Sequence, residues 1–117
     1  MADTDAEARR LSWSMRALLA RLARTGAAPD VPTVDVAARE LAQAERDTPT
    51  VIAHGRWPRL LAGSPTTARD QIEQITKATG VQEVMVQDVV AAPAARAHSR
   101  ALPAQALGVT PAAVAAP

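Results

Sequence analysis

The sequence has no cysteine, phenylalanine or tyrosine, and its aromatic residues are the two tryptophans Trp13 and Trp57. The absence of cysteine excludes disulfides, thiolate metal sites and cysteine nucleophiles. The scarcity of aromatic rings limits the core, because large side chains supply most of the apolar area that folding buries, at about 25 cal/mol per Å². Although 48% of the 117 residues are hydrophobic, roughly a quarter of the chain is alanine. We therefore expect one small domain with a thin core and little stability of its own.

The chain also lacks a strong charge of either sign and lacks long apolar runs. Its formal net charge is +1, and its thirteen basic residues, twelve of them arginine, are spread along the chain without interleaved aromatics. A nucleic-acid-binding protein needs clustered basic residues with aromatic residues between them, so nucleic-acid binding is the least favoured interpretation. No apolar run approaches the roughly 20 residues of a membrane span. Asp3, Asp5 and Glu7 precede the first apolar residues, unlike a targeting segment, so we expect a cytoplasmic protein without nucleic-acid or membrane partners.

Residues 5–24 predict an amphipathic helix. Acidic residues occupy its first turn and basic residues its last, in agreement with the helix dipole, and Gly26 follows as a stop signal. Its outer face carries Arg9, Arg10 and Arg16, which allows membrane-surface binding, although a solvated face is the favoured interpretation. The apolar face consists of Leu11, Met15, Leu18, Leu19 and Leu22.

Three further helices are predicted downstream. Thr33 can cap a helix over 34–47. Ser64 and Pro65 form a helix-start signature for a helix that ends at Gly80. Pro93 begins a last candidate over 93–109, which we expect Pro103 to interrupt.

Two short segments around the third of these helices predict strands. Residues 59–63 are too few for a helix, and residues 81–90, VQEVMVQDVV, are rich in β-branched side chains without Pro or Gly. Strands joined through a helix are normally parallel with a right-handed crossover. The sequence therefore predicts one strand-helix-strand unit.

Few residues offer candidate chemistry. Gly63-Ser64-Pro65 at a predicted strand-to-helix turn is where anions bind in α/β proteins, but it matches neither a dinucleotide fingerprint nor a P-loop, and a plain helix start is favoured. His54 and His98 lack a second ligand at metal spacing, and Ser99 adjoins His98 without facing it on a helix. Trp57 suits packing better than ring stacking. The residues assign no catalytic or cofactor-binding position and no metal site.

The ordered set of segments resembles the C-terminal end of the luciferase-like flavin monooxygenases. The resemblance lies in LLAGSPTTARDQIEQI, in ATGVQEVMVQD, in Arg96 with Ser99 and in ALPAQALGV, and upstream in SWSMRALLARLARTGAAPDVPTVDVAARE. It runs from about Leu11 to Val109. Thr66 and Gln82 replace acidic residues of the family pattern, and Pro103 falls where the family's last helix continues.

This resemblance implies an α/β fold, namely a partial TIM barrel made of the last two strand-helix units plus preceding helices. Most of the residues in such a section would be helical. Residues 1–109 would form the C-terminal part of the barrel and residues 110–117 a disordered tail. A complete barrel takes about 250 residues, so the isolated chain would lack a complete active site. The implied cofactor is FMN or a related flavin, and the implied partners are reduced flavin, molecular oxygen, a small organic substrate and a dimer mate or complementing chain.

A second hypothesis from a different class stays open. The chain could be a small non-enzymatic helical or α/β module that binds a protein partner through the Leu11 to Leu22 helix face. A cooperative thermal transition of the chain alone favours this module, whereas an orphaned barrel section would expose strand edges and aggregate.

Overall fold

The computed structural model describes residues 1–28 and 30–110, and within these ranges the chain is helical. The elements are α1 (Asp5–Thr25), α2 (Val34–Glu40), α3 (Gln43–Arg46), α4 (Pro65–Thr79) and α5 (Pro93–Ala106). The described residues form no strand. They contain one isolated antiparallel bridge, between Ala53 and Arg56, closed by a tight turn in which His54 and Gly55 have positive φ.

The predicted α/β fold with a partial TIM barrel is therefore wrong for the described part of the chain. Residues 59–63 and 81–90 are irregular. A β-branched composition favours a pleated, half-buried surface, but a strand also needs a neighbouring strand to complete its hydrogen bonds. Ala62 N donates to the loop carbonyl of Thr50 at 3.1 Å, and no backbone hydrogen bond among the described residues involves 82–91.

Helix α1 begins and ends as predicted. The Thr4 hydroxyl accepts a hydrogen bond from Glu7 N, which satisfies one of the free amides of the first turn. At the other end Gly26 has a left-handed φ of 71°, and its amide donates to the Leu22 carbonyl. Only glycine takes this backbone conformation without cost.

The helix predicted over 34–47 is divided at Leu41. Thr33 caps α2 as expected, but Leu41 is extended at φ −79° and ψ 135°. Its side chain is buried in a cluster with Ala17 and Ala37, against which Trp13 packs. The break turns Leu41 toward α1, and the chain then resumes as the single turn α3, where the Glu45 carboxylate accepts from Ala42 N.

Two thin clusters make up the core. The first cluster joins α1 to α2 through Ala17 and Ala37, which are 1% and 0% exposed. An ion pair between Arg21 of α1 and Glu40 of α2 also links the two helices. The second cluster gathers apolar residues from the N-terminal segment, α1 and the two irregular segments, namely Ala2, Ala8, Leu11, Ala62 and Val90. The prediction of an alanine-rich, thin core thus agrees with the packing.

The last helix runs through the proline that was expected to interrupt it. Pro103 lies inside α5, in its final turn, and its carbonyl accepts from Leu107 N. Because only one turn follows the proline, the missing amide costs one hydrogen bond near an end that already frays. The tail predicted at 110–117 falls outside the described residues except for Thr110.

Candidate functional site

The turn Gly63-Ser64-Pro65 begins α4 in the way the sequence indicates. The Ser64 hydroxyl accepts from Thr67 N at 3.3 Å, and Pro65 occupies the start of the helix, where its missing amide hydrogen costs nothing. This leaves the backbone amide of Ser64 as a donor. It donates to the Asp5 Oδ1 atom at 2.8 Å.

The N-terminus of α4 thus already holds an anion, and that anion belongs to α1. The hydrogen bond from Ser64 N, a second one with the Thr67 side chain and the nearby Arg9 all lower the pKa of the Asp5 carboxyl. A phosphate or carboxylate ligand at this turn would meet the Asp5 charge and would have to displace it. The turn is therefore a structural junction between α1 and α4.

The Asp5 contact predicts a specific loss of stability in acid. A carboxyl whose pKa is lowered by folding stabilises the protein above its unfolded pKa, here ordinarily 3.8, and that stabilisation is lost as the pH falls through the folded pKa. We expect Asp5→Asn to lower the free energy of unfolding by up to about 1 kcal/mol at neutral pH, since the group is solvent-screened. The variant should also show a flatter decline in stability below about pH 4.

Urea unfolding at a series of pH values measures both effects. Asp70→Asn is the matched control, because Asp70 lies on the exposed face of α4 itself. An equal change in both variants, or an unchanged pH profile in Asp5→Asn, would contradict the assigned role of Asp5.

His98 and Ser99 point in different directions, so they form no acid-base pair. The His98 Nε2 atom lies 2.8 Å from Asp3 Oδ1 on the surface. Ser99 is buried, and its Oγ accepts from the Met1 amine at 2.8 Å. Neighbouring positions on a helix diverge in this way, so His98 is not placed to act as a base toward Ser99.

The remaining candidate residues are dispersed. His54 is exposed at the tight turn, and Trp57 is half exposed beside it. No group of three or more His, Asp or Glu side chains that could hold a metal ion occurs among the described residues. None of the helices in the described ranges is long and apolar enough to cross a membrane.

Two of the three arginines on the outer face of α1 are engaged within the chain. Arg10 pairs with Glu7, and the Arg16 guanidinium donates to the Thr48 carbonyl at 2.8 Å. The Arg16 contact holds the loop after α3 against α1, whereas the Arg10 pair lies within α1. On the apolar face of the same helix Leu11 is buried in the core, Met15, Leu18 and Leu19 are half-buried, and Leu22 is exposed.

An apolar groove with a volume of about 480 Å³ lies between α1, α4 and residues 84–88. Aliphatic side chains form most of its wall, including Met15, Leu19, Leu61, Ile72, Ile75 and Met85. One end is polar. There the buried Asp88 Oδ2 atom has no hydrogen-bond partner among the described residues. Burial lowers the pKa of the Met1 amine, although the negative charge of Asp88 acts to raise it. We name this feature the α1/α4 groove.

Sequence reasoning missed the groove because it assigned residues 81–90 to a strand. The signal was nevertheless present, since Val84, Met85 and Val86 form an apolar run that the chain itself leaves exposed. An apolar run that is exposed in the described part of the chain is typical of an interaction surface.

The described residues do not make a flavin site. A flavin phosphate needs free backbone amides or basic side chains, whereas the amide at the start of α4 is held by Asp5. The α1/α4 groove has the volume range of a ligand pocket, but among the residues that the structure describes only Arg59 places a basic side chain on its wall. The described part of the chain therefore supplies at most one wall of such a site.

Comparison with known proteins finds similarity to part of a longer solved protein. No protein-family model and no curated protein matches the sequence. Among solved structures, the chain is similar to the crystal structure of apo-MsnO8, with a TM-score of 0.76 and 32% sequence identity. The match covers 95% of this chain and 33% of the MsnO8 chain. The chain thus spans about a third of the length of the solved protein it matches.

Proposed function

We propose that the chain is one section of a luciferase-like, flavin-dependent monooxygenase and that it does not hold a complete active site by itself. The flavin and oxygen chemistry in this proposal rests on the sequence resemblance between Leu11 and Val109. In the complete enzyme, reduced flavin would supply electrons to molecular oxygen, one atom of which enters a small organic substrate while the other leaves as water. The proposed location is the cytoplasm.

The observation that carries the proposal is the asymmetry of the structural match. The structural match spans 95% of this chain but only 33% of the MsnO8 chain. A section of this kind would leave uncovered the surface that faces the rest of the enzyme. The exposed Val84, Met85 and Val86 beside the α1/α4 groove are consistent with such a surface.

Reconstitution tests the proposal. The chain is mixed with a separately expressed polypeptide, the part of MsnO8 that the match does not cover, and oxygen uptake is followed after addition of photoreduced FMN. The expected result is flavin binding by the mixture and a change in the kinetics of flavin oxidation relative to the spontaneous reaction. Neither component alone should change those kinetics, since each would lack part of the site.

Two controls separate the proposal from trivial outcomes. Bovine serum albumin at the same concentration controls for non-specific protection of reduced flavin, and a reduced deazaflavin replaces FMN in a parallel series. A 1:1 complex that binds neither flavin would contradict the proposed function. So would equal effects from the chain alone and from the mixture.

A further inference from the structure

We propose that Trp13, Arg16 and Arg46 bind a small tetrahedral oxyanion, of the size of inorganic phosphate or sulfate, between α1 and α3. This site is separate from the α1/α4 groove, because Trp13 lies roughly half a turn around α1 from Met15, which lines that groove. The proposal therefore goes beyond the proposed function and does not depend on it.

Three buried hydrogen-bond donors are left without an acceptor in this part of the chain. They are the indole Nε1 of Trp13 and the Nε atoms of Arg16 and Arg46, and none of them has a partner among the described residues. A buried N–H group without an acceptor costs free energy, because folding has removed its water. In native structures such a group indicates an ordered water or ion.

The three donors come from one turn of α1 and from α3 with the loop that follows it. The Arg46 guanidinium carbon lies 6.0 Å from the centre of the Trp13 ring. Arg16 lies three residues after Trp13, on the same face of α1, and its Nη2 atom donates to the carbonyls of Thr48 at 2.8 Å and Pro49 at 3.4 Å. Because Thr48 follows Arg46 by two residues, both arginines are held at the same short segment.

The charge balance favours an oxyanion over a water molecule. Among the described residues, no carboxylate forms an ion pair with Arg16 or Arg46. The carboxylates that flank Arg46 are already engaged, since Glu45 accepts from a backbone amide and Asp47 from a side-chain amide. Burial lowers the pKa of Arg16. An oxyanion would compensate both cations and accept from their N–H groups, as guanidinium groups do with phosphate.

The anion can enter by displacement of the Arg46 side chain. This residue lies on the single turn α3, and its Nη2 atom donates to Gln43 Oε1 of the same turn at 2.8 Å, on the surface. Rotation of the side chain breaks that exposed hydrogen bond and leaves the cluster of Ala17, Ala37 and Leu41 in place. Because the three donor atoms are buried, the space suits a free anion and excludes a phosphate ester with a bulky substituent.

Titration of the 117-residue chain carrying Trp57→Phe with inorganic phosphate tests the proposal. This background leaves Trp13 as the only tryptophan, so its fluorescence reports on the site. At constant ionic strength we expect a saturable change in emission, and a 1:1 stoichiometry by isothermal titration calorimetry. Chloride should not cause the change, and ribose 5-phosphate should not compete with phosphate.

Arg46→Gln should weaken phosphate binding about tenfold or more, because a charge-assisted hydrogen bond is lost. Arg39→Gln is the matched control, since it removes the same charge from an exposed position on α2. Far-UV circular dichroism and urea unfolding check that both variants keep the fold. Trp13→Phe, measured by calorimetry, keeps a ring but removes the indole N–H, and it should weaken binding about threefold.

Three results would overturn the proposal. They are the absence of saturable phosphate binding, equal weakening by Arg46→Gln and Arg39→Gln, and competition by ribose 5-phosphate, which would place the anion at the open surface. The proposed monooxygenase function is tested separately by reconstitution with the MsnO8 polypeptide, so either proposal can fail without the other.

Discussion

Ala17→Leu is expected to lower the free energy of unfolding by about 3 kcal/mol, the upper end of the usual cost of overpacking. Ala17 is 1% exposed and lies in the cluster with Ala37 and Leu41 that joins α1 to α2. A leucine at this position forces the two helices apart or displaces Leu41 from the core. Urea unfolding followed by far-UV circular dichroism measures the loss.

Ala6→Leu is the control for this substitution. Ala6 is exposed and belongs to the same helix, so helix propensity and side-chain size change equally. We expect its free energy of unfolding to stay within about 0.5 kcal/mol of the unsubstituted value. Similar losses of unfolding free energy at the two positions would contradict the assignment of the Ala17→Leu effect to the α1–α2 contact.

Gly63→Ala should lower the free energy of unfolding by about 2 kcal/mol, through steric strain at the junction of α1 and α4. A Cβ at Gly63 would lie 2.7 Å from Thr67 Cγ2, 2.9 Å from Thr67 Cβ and 3.3 Å from Asp5 Oδ1. Relief of this clash moves either the first turn of α4 or the Asp5 carboxylate that accepts from Ser64 N. The fall in stability should therefore be accompanied by a weaker dependence on acid pH.

A double-mutant cycle with Thr67→Ser tests the cause. Serine removes the Cγ2 methyl but keeps the hydroxyl, so the double variant should recover about 1 kcal/mol relative to the sum of the single changes. Strictly additive effects would show that Gly63 acts through backbone freedom and not through its contact with Thr67.

The helices were predictable where their signals are local. Thr4, Thr33 and Ser64 are N-caps within three residues of the amides they satisfy, and Gly26 and Gly80 end α1 and α4 in the left-handed conformation. These signals depend on neighbouring residues alone. The extents of α1 and α4 therefore follow closely from the sequence.

The predicted strands failed because their formation depends on residues far away. The pattern of 81–90 satisfies the local preferences of a strand, yet its backbone meets no other segment among the described residues. The break at Leu41 was missed for a related reason, since its cause is burial against α1. Tertiary packing overrides local preference in such places.

The candidate site was predictable only in part. The sequence favoured a plain helix start at Gly63-Ser64-Pro65 over anion binding, and the structure has that helix start, with the Ser64 amide donating to Asp5, which lies 59 residues away in sequence. No spacing rule connects the two residues. The exposed run at 84–86 was visible as sequence but not as one side of a groove, because α1 and α4 supply the rest of the wall.

The most direct test of the account is an equilibrium titration of the isolated chain with oxidised FMN, followed by flavin fluorescence and checked by equilibrium dialysis. The account predicts no saturable binding, because the chain supplies at most one wall of a site and Asp5 holds the amide at the start of α4. Stoichiometric binding of FMN by the monomer would contradict it.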